Sequence, residues 1–150
     1  MEKIGVGCCN GFGGSLNKKE TPRECAKREL REESGFLAMK KDLFFVGIVK
    51  FHNQREDGSK FDVMVFIFTL NKRLGKLRLK EDEMVEPRWY KTKRLPLKKM
   101  MLGDKDWVPQ IFKNKHRNQR LRGEVWYGPN QKTLLRPVKV RWVGRTGDVD

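Results

Sequence analysis

The sequence predicts an α+β fold, with a mixed β-sheet packed between helices. Three observations predict it. A helix-start signature, Thr21-Pro22-Arg23-Glu24, opens a charged helical stretch that ends at Gly35. Two apolar, β-rich runs at 43–52 and 61–70 flank the turn dipeptide Asp57-Gly58. After a second helical stretch, β-rich residues return from Arg120 onward. Strands and helices therefore alternate irregularly along the chain.

At 150 residues the chain is expected to form one domain, 1–150, with a proper core. Hydrophobic residues make up 37% and charged residues 35%, so the surface is very polar. No apolar run approaches the ~20 residues needed to span a membrane. The opening residues MEKIGVGCCNGFGG lack the apolar segment of a secretion signal. Cys8, Cys9 and Cys25 make neither a metal spacing nor an even disulfide framework. They are expected to be ordinary thiols in a reducing cytoplasm. Lys and Arg number 34 against 19 Asp and Glu, a net charge of +15. The basic residues are densest at 72–80, 91–99 and 113–122, without forming a basic amphipathic helix or a low-complexity tail. Such a charge attracts polyanions and is suited to steer phosphate substrates inward, with a generic basic surface that serves neither substrate nor nucleic acid as the alternative. RNA binding stays open on the same charge but is not favoured. A monomer with no membrane contact is expected.

In chain order, residues 1–13 are glycine-rich, with Gly5, Gly7, Gly11 and Gly13 leading into Gly14. Their spacing fits neither a dinucleotide fingerprint nor a P-loop, since no Gly-Lys-Ser/Thr follows. Thr21 is placed to cap a helix, Pro22 suits its first position and Glu24 completes a capping box. The helix should run to about Ser34, with Gly35 ending it. Glu29, Glu32 and Glu33 stand at i, i+3 and i+4, so their side chains share one helical face. Three like charges so close are tolerated in solvent or around a cation. Hard oxygen donors suit Mg²⁺ or Mn²⁺, and Arg28 is placed to orient a carboxylate. A plain solvated face is the alternative.

The whole stretch narrows that choice. Gly14, five residues, Glu20, seven residues, Arg28-Glu29-Leu30, one residue, Glu32-Glu33, one residue, Gly35-Phe36 resembles the Nudix box over 14–36, with every fixed position filled. The resemblance implies an αβα sandwich and a loop–helix–loop that binds divalent metal and cleaves nucleoside diphosphates linked to another group. It implies metal-ligand roles for Glu29, Glu32 and Glu33, orienting roles for Arg28 and Glu20, and close backbone approach to the metal at Gly14. Residues 4–14, Ile-Gly-Val-Gly-Cys-Cys-Asn-Gly-Phe-Gly-Gly, are similar to the segment before the box in the oxidised-purine nucleoside triphosphatases of the MutT-homologue type. That likeness puts Ile4, Asn10, Gly13 and Gly14 beside the substrate, with the Asn10 amide on the purine edge. It also implies a strand ahead of the glycine segment. Only nine residues precede Asn10, so that first strand is expected to be missing.

Beyond the box, 43–52 and 61–70 read as a hairpin closed by Asp57-Gly58. Phe51, Phe61 and Met64 are expected in the core, and His52 and His116 on the surface or in turns. A short strand is expected at 76–79. The run Lys80-Glu-Asp-Glu83-Met-Val-Glu-Pro-Arg-Trp89 resembles the family segment whose glutamate adds a metal contact or the catalytic base. Glu83 holds that place, with Glu81 and Asp82 as rivals and a simple charged loop as the alternative. A helix is expected from Lys105 to about Lys115, with Asp104 either its N-cap or a base-reading residue. By likeness to the purine enzymes, Asp104 matches the second of two aspartates. Gly103 stands where the first should be, and Met101 where a stacking tryptophan should be. Residues 120–127, 133–135 and 138–143 read as a final hairpin, with Trp126 and Trp142 as packing residues and a frayed tail at 144–150. The implied activity is Mg²⁺-dependent hydrolysis of oxidised purine nucleoside triphosphates, such as 8-oxo-dGTP, to the monophosphate and pyrophosphate.

Overall fold

The structure, a computed structural model, describes residues 7–78, 88–113 and 118–145. They fall into two compact units. The first takes in the chain up to Asn10, Gly47–Ile67 and Tyr90–Arg145; the second takes in Gly11–Val46 and Phe68–Trp89.

Helix α1, Pro22–Ser34, belongs to the second unit and has the ends its sequence dictates. The Thr21 hydroxyl accepts from the Glu24 N–H, and the Glu24 carboxylate accepts from the Thr21 N–H at 2.9 Å. Two otherwise orphaned donors are thereby satisfied at once. At the other end Gly35 takes φ 72°, a left-handed conformation that costs glycine little, and its N–H returns to the Arg31 carbonyl. Leu30 packs with Phe36, Ala38 and Leu70 in a small apolar cluster. The Arg73 guanidinium lies 4.9 Å from the Phe36 ring and 4.5 Å from the Trp89 ring. Leu37 and Leu74 form an isolated bridge.

Four strands make one sheet in the order β2-β1-β3-β4. They are β1 Leu43–Gln54, β2 Lys60–Leu70, β3 Gln119–Pro129 and β4 Lys139–Gly144. β1 and β2 join through the 55–59 turn, where Gly58 takes φ 84°. β1 runs parallel to β3, and β3 antiparallel to β4, so the sheet is mixed. Burial alternates along β1: Val49 and Phe51 point into the core, while Lys50 and His52 point out. In the first unit Leu121, Val125 and Tyr127 on β3 complete that core, with Met101 and Val108. Helix α2, Asp104–Ile111, packs in the same unit. With two α-helices and a mixed four-stranded sheet among the described residues, the α+β class holds.

Several expectations shift. α2 starts one residue earlier than expected and ends at Ile111 rather than near Lys115. Asp104 is its first residue and Gly103 its N-cap, so Asp104 is not the cap. Residues 76–78 pair in no strand; Leu74 makes the local bridge instead. Of 133–135, Leu134 alone bridges, to Tyr127. Gly144 closes β4. Ile4, Glu81, Asp82, Glu83 and His116 lie outside the described residues.

The β1–β3 pairing leaves no room at Gly47, where a Cβ would fall on the Leu121 backbone, 2.7 Å from its nitrogen. Backbone cannot yield as a side chain does. Gly47→Ala is expected to cost roughly 2–4 kcal/mol, read as a lower urea midpoint at unchanged slope.

Candidate active site

The box residues assemble within the second unit around one guanidinium. Arg28 Nε donates to Glu20 Oε1 at 2.8 Å and Arg28 Nη2 to Glu20 Oε2 at 2.9 Å, a two-point fork. Arg28 Nη1 reaches Glu29 Oε1 at 2.5 Å and Glu32 Oε2 at 3.2 Å, and Nη2 also meets the Ser15 carbonyl at 2.9 Å. The i, i+4 spacing explains the Glu32 contact. Glu29 and Glu32 lie one and four residues after Arg28 on α1, and Glu20 sits in the loop that enters the helix. The Arg28 hydrogen bonds, with a backbone N–H from Asn17, hold the Glu20 carboxyl down at about 2. The same carboxylates, Glu20 first, raise Arg28 above its ordinary value.

Two glycines complete the entry loop. The Gly13 N–H donates to Glu33 Oε2 at 2.9 Å. A Cβ on Gly14 would fall on the Glu29 carboxylate, 2.8 Å from Oε2, so a side chain there would displace that carboxylate. The Gly14 carbonyl accepts from the Cys25 thiol at 3.6 Å. Burial raises that thiol to about 11, with Glu20 adding to it, so Cys25 stays protonated.

In the first unit a different cluster forms. Asp104 is 3% exposed. Its Oδ2 accepts from the Met101 N–H and its Oδ1 from the Trp107 indole, both at 3.1 Å. Burial pushes its carboxyl up to about 6, although both hydrogen bonds pull it down. Trp107 meets Phe51 edge-on at 6.5 Å, and Phe51 stacks on Tyr127 at 6.2 Å. The Tyr127 hydroxyl accepts from the Gly103 N–H at 3.2 Å, and burial raises it to about 12. Burial, then Asp104 and Cys9, also raise the Cys8 thiol. Asn10 is exposed and Met101 buried, both in this unit.

Sequence reasoning missed part of this cluster. Asp104 and Trp107 stand at i, i+3 on a helix, a spacing that signals contact. The Tyr127–Gly103 bond spans 24 residues and leaves no local signal. His52 is more than a surface residue. It stacks on Trp126 at 5.0 Å, with Asp62 Oδ1 2.9 Å from its Nδ1 and Glu124 Oε2 3.3 Å from its Nε2.

The profile of the NUDIX domain matches residues 6–111. The chain belongs to the NUDIX domain family. Two relatives are each named oxidized purine nucleoside triphosphate hydrolase. One, from Danio rerio, is 34% identical over 113 residues, 75% of this chain and 67% of the relative. The other, from Mus musculus, is 33% identical over 112 residues, again 75% and 67%. A crystal structure of the mutator MutT protein from Bacillus halodurans superposes with a TM-score of 0.68 at 24% identity, covering 86% of this chain and 79% of that one. That superposition carries the Nudix fold.

As a Nudix hydrolase the chain belongs to a family that uses divalent metal ions. Among the described residues no three of His, Cys, Asp and Glu stand ready-spaced as a ligand set. Arg28 and Gly13 hold the carboxylates instead. The donor chemistry nevertheless fits a hard cation: carboxylate oxygens from one helical face, and a glycine backbone in close approach to one of them. To reach such an ion Glu29 and Glu32 would have to leave Arg28.

Arg28→Lys keeps the charge but loses the fork to Glu20. Hydrolase turnover is expected to fall about 10- to 100-fold, with the thermal midpoint moved by a few degrees. A variant as active as the parent would show that the fork orients nothing.

Proposed function

We propose that this single Nudix domain hydrolyses purine nucleoside triphosphates, oxidised ones such as 8-oxo-dGTP foremost, to the monophosphate and pyrophosphate, with Mg²⁺ (or Mn²⁺) as cofactor. The observation that carries the base class is the buried Asp104, held by Met101 and Trp107 among aromatic rings, with its carboxyl raised to about 6. Below about pH 6 such a carboxyl keeps its proton and can donate to an altered purine edge, and the aromatic rings supply apolar surface for a base. The names of the Danio and Mus relatives support the same reading.

Glu29, Glu32 and Glu33 would hold the metal, with the Gly14 carbonyl close by; the ion would neutralise the phosphates and acidify a bound water. Arg28 and Glu20 orient these carboxylates. Water attacks phosphorus, the anhydride P–O bond breaks, its electron pair leaves with pyrophosphate, and a carboxylate takes the proton. Glu83 or a box glutamate is that base. Asn10 reads the purine edge, and Ile4, Gly13 and Met101 line the substrate. A second reading, hydrolysis of an undamaged or different nucleotide, is favoured by one observation: Gly103 and Met101 leave Asp104 without its companion carboxylate and stacking tryptophan.

Pyrophosphate release from 8-oxo-dGTP, 2-oxo-dATP, dGTP, dATP, dCTP and ADP-ribose, with and without Mg²⁺, tests this. The oxidised purines are expected to lead, only with metal. Glu33→Gln or Glu32→Gln should cut turnover by about 10²-fold or more with the fold retained. Full activity in both would sink the metal assignment.

The pH dependence has a definite sign. An ordinary aspartate has lost its proton by about pH 5, whereas folded Asp104 keeps it to about 6. The charged form therefore costs stability that is absent in acid and complete above about pH 6. The kcat/KM ratio of oxidised to undamaged purine should fall as pH rises through that value. Asp104→Asn, which cannot titrate, should flatten the profile.

A further inference from the structure

One cavity in the second unit has no role so far. Its volume is about 540 Å³, and Arg31, Glu32, Gly35, Gly75, Lys76 and Arg78 line it. That size lies within the roughly 300–1,000 Å³ typical of small-ligand sites. Among the described residues three cations line it against one carboxylate, and that carboxylate, Glu32, belongs to the box. Among the described residues no ion pair engages Arg31, Lys76 or Arg78.

The basic wall is fixed by backbone. The Arg78 N–H donates to the Ser34 carbonyl at 2.7 Å, and Leu74 exchanges both backbone bonds with Leu37 at 2.9 Å. Gly35 and Gly75, at φ 72° and 90°, permit a close approach between them. A Cβ on Gly75 would lie 3.1 Å from the Gly35 carbonyl oxygen, and a Cβ on Gly35 3.0 Å from Arg78 Cβ. The chain at 74–78 is thus laid against the end of α1. Three cations gathered this way repel one another, an arrangement that a polyanion relieves. Little backbone ordering remains to be done on binding.

We infer that this cavity receives the distal phosphates of the substrate, the part released as pyrophosphate, through Arg31, Lys76 and Arg78. The inference rests on the proposed hydrolysis. That reaction ends with a multiply charged leaving group beside the box, and Glu32 is shared between box and cavity. The cations hold that group as its charge develops and retain it after cleavage, so pyrophosphate is also a product inhibitor.

The test is calorimetric titration of inorganic pyrophosphate, and separately inorganic phosphate, into metal-free protein. The parent should bind pyrophosphate at least about tenfold more tightly than phosphate, with a steep salt dependence. The triple variant Arg31→Gln, Lys76→Gln, Arg78→Gln should weaken pyrophosphate binding about tenfold or more. All three side chains are exposed, so its melting temperature should match the parent's. Lys76→Gln alone, which leaves α1 intact, should give a smaller shift in the same direction. Lys91→Gln, Lys93→Gln, Arg94→Gln is a charge-matched control from another exposed stretch. Equal weakening by both triple variants would reduce the site to net charge and overturn the inference. So would unchanged affinity in the first triple variant, or no pyrophosphate binding by the parent. Triphosphate hydrolysis by the parent is scored separately. Hydrolysis with an unaltered triple variant removes this site and keeps the activity. Site-specific pyrophosphate binding without hydrolysis does the reverse.

Discussion

The Arg28 guanidinium is the constraint on which the box depends. Without it, Glu20 from the entry loop and Glu29 and Glu32 from the second half of α1 would set three negative charges close together. With it, each finds a charge-assisted partner between 2.5 and 3.2 Å. The capping box at Thr21 and the glycine stop at Gly35 fix where α1 begins and ends, and hence which residues share the face that Arg28 gathers. Gly14 matters for the same reason: any side chain there would collide with the Glu29 carboxylate. Local helix rules thus place a charged cluster that would be unfavourable in isolation.

The Asp104 cluster follows opposite physics. The box is half-open and governed by charge pairing, whereas Asp104 is governed by desolvation. Its two N–H donors stabilise the anion, yet burial outweighs them and favours the acid. The surrounding Phe51, Trp107 and Tyr127 exclude water and keep the local dielectric low. A carboxylate paired with arginine is thus held down at about 2 and a carboxyl sheltered by aromatic rings pushed up to about 6 within one short chain.

What the sequence revealed depended on the reach of each interaction. α1 and its caps were legible because every partner lies within four residues. The 55–59 turn was legible because Gly58 needs its positive φ. The box carboxylates were legible as a face and Arg28 as a partner for one of them, but not the gathering of Glu20, Glu29 and Glu32 on one guanidinium, because a guanidinium and a metal ion answer the same spacing. The parallel β1–β3 pairing, the bond from Gly103 to Tyr127 and the Phe51–Tyr127 stack join residues many tens of positions apart or from separate elements. No local pattern marks them. The end of α2 was misjudged because charged residues continue past Ile111 without a stop residue, and helix propensity alone is a weak guide there.

His52 carries a consequence of another kind. Its ring lies between Asp62 on β2 and Glu124 on β3, while its own backbone belongs to β1. A neutral imidazole has one N–H and so serves one of the two carboxylates, leaving the other opposite a lone pair. One ring thus rivets three strands side by side: the imidazole of β1 holds a carboxylate of the edge strand β2 on one nitrogen and meets a carboxylate of β3 on the other.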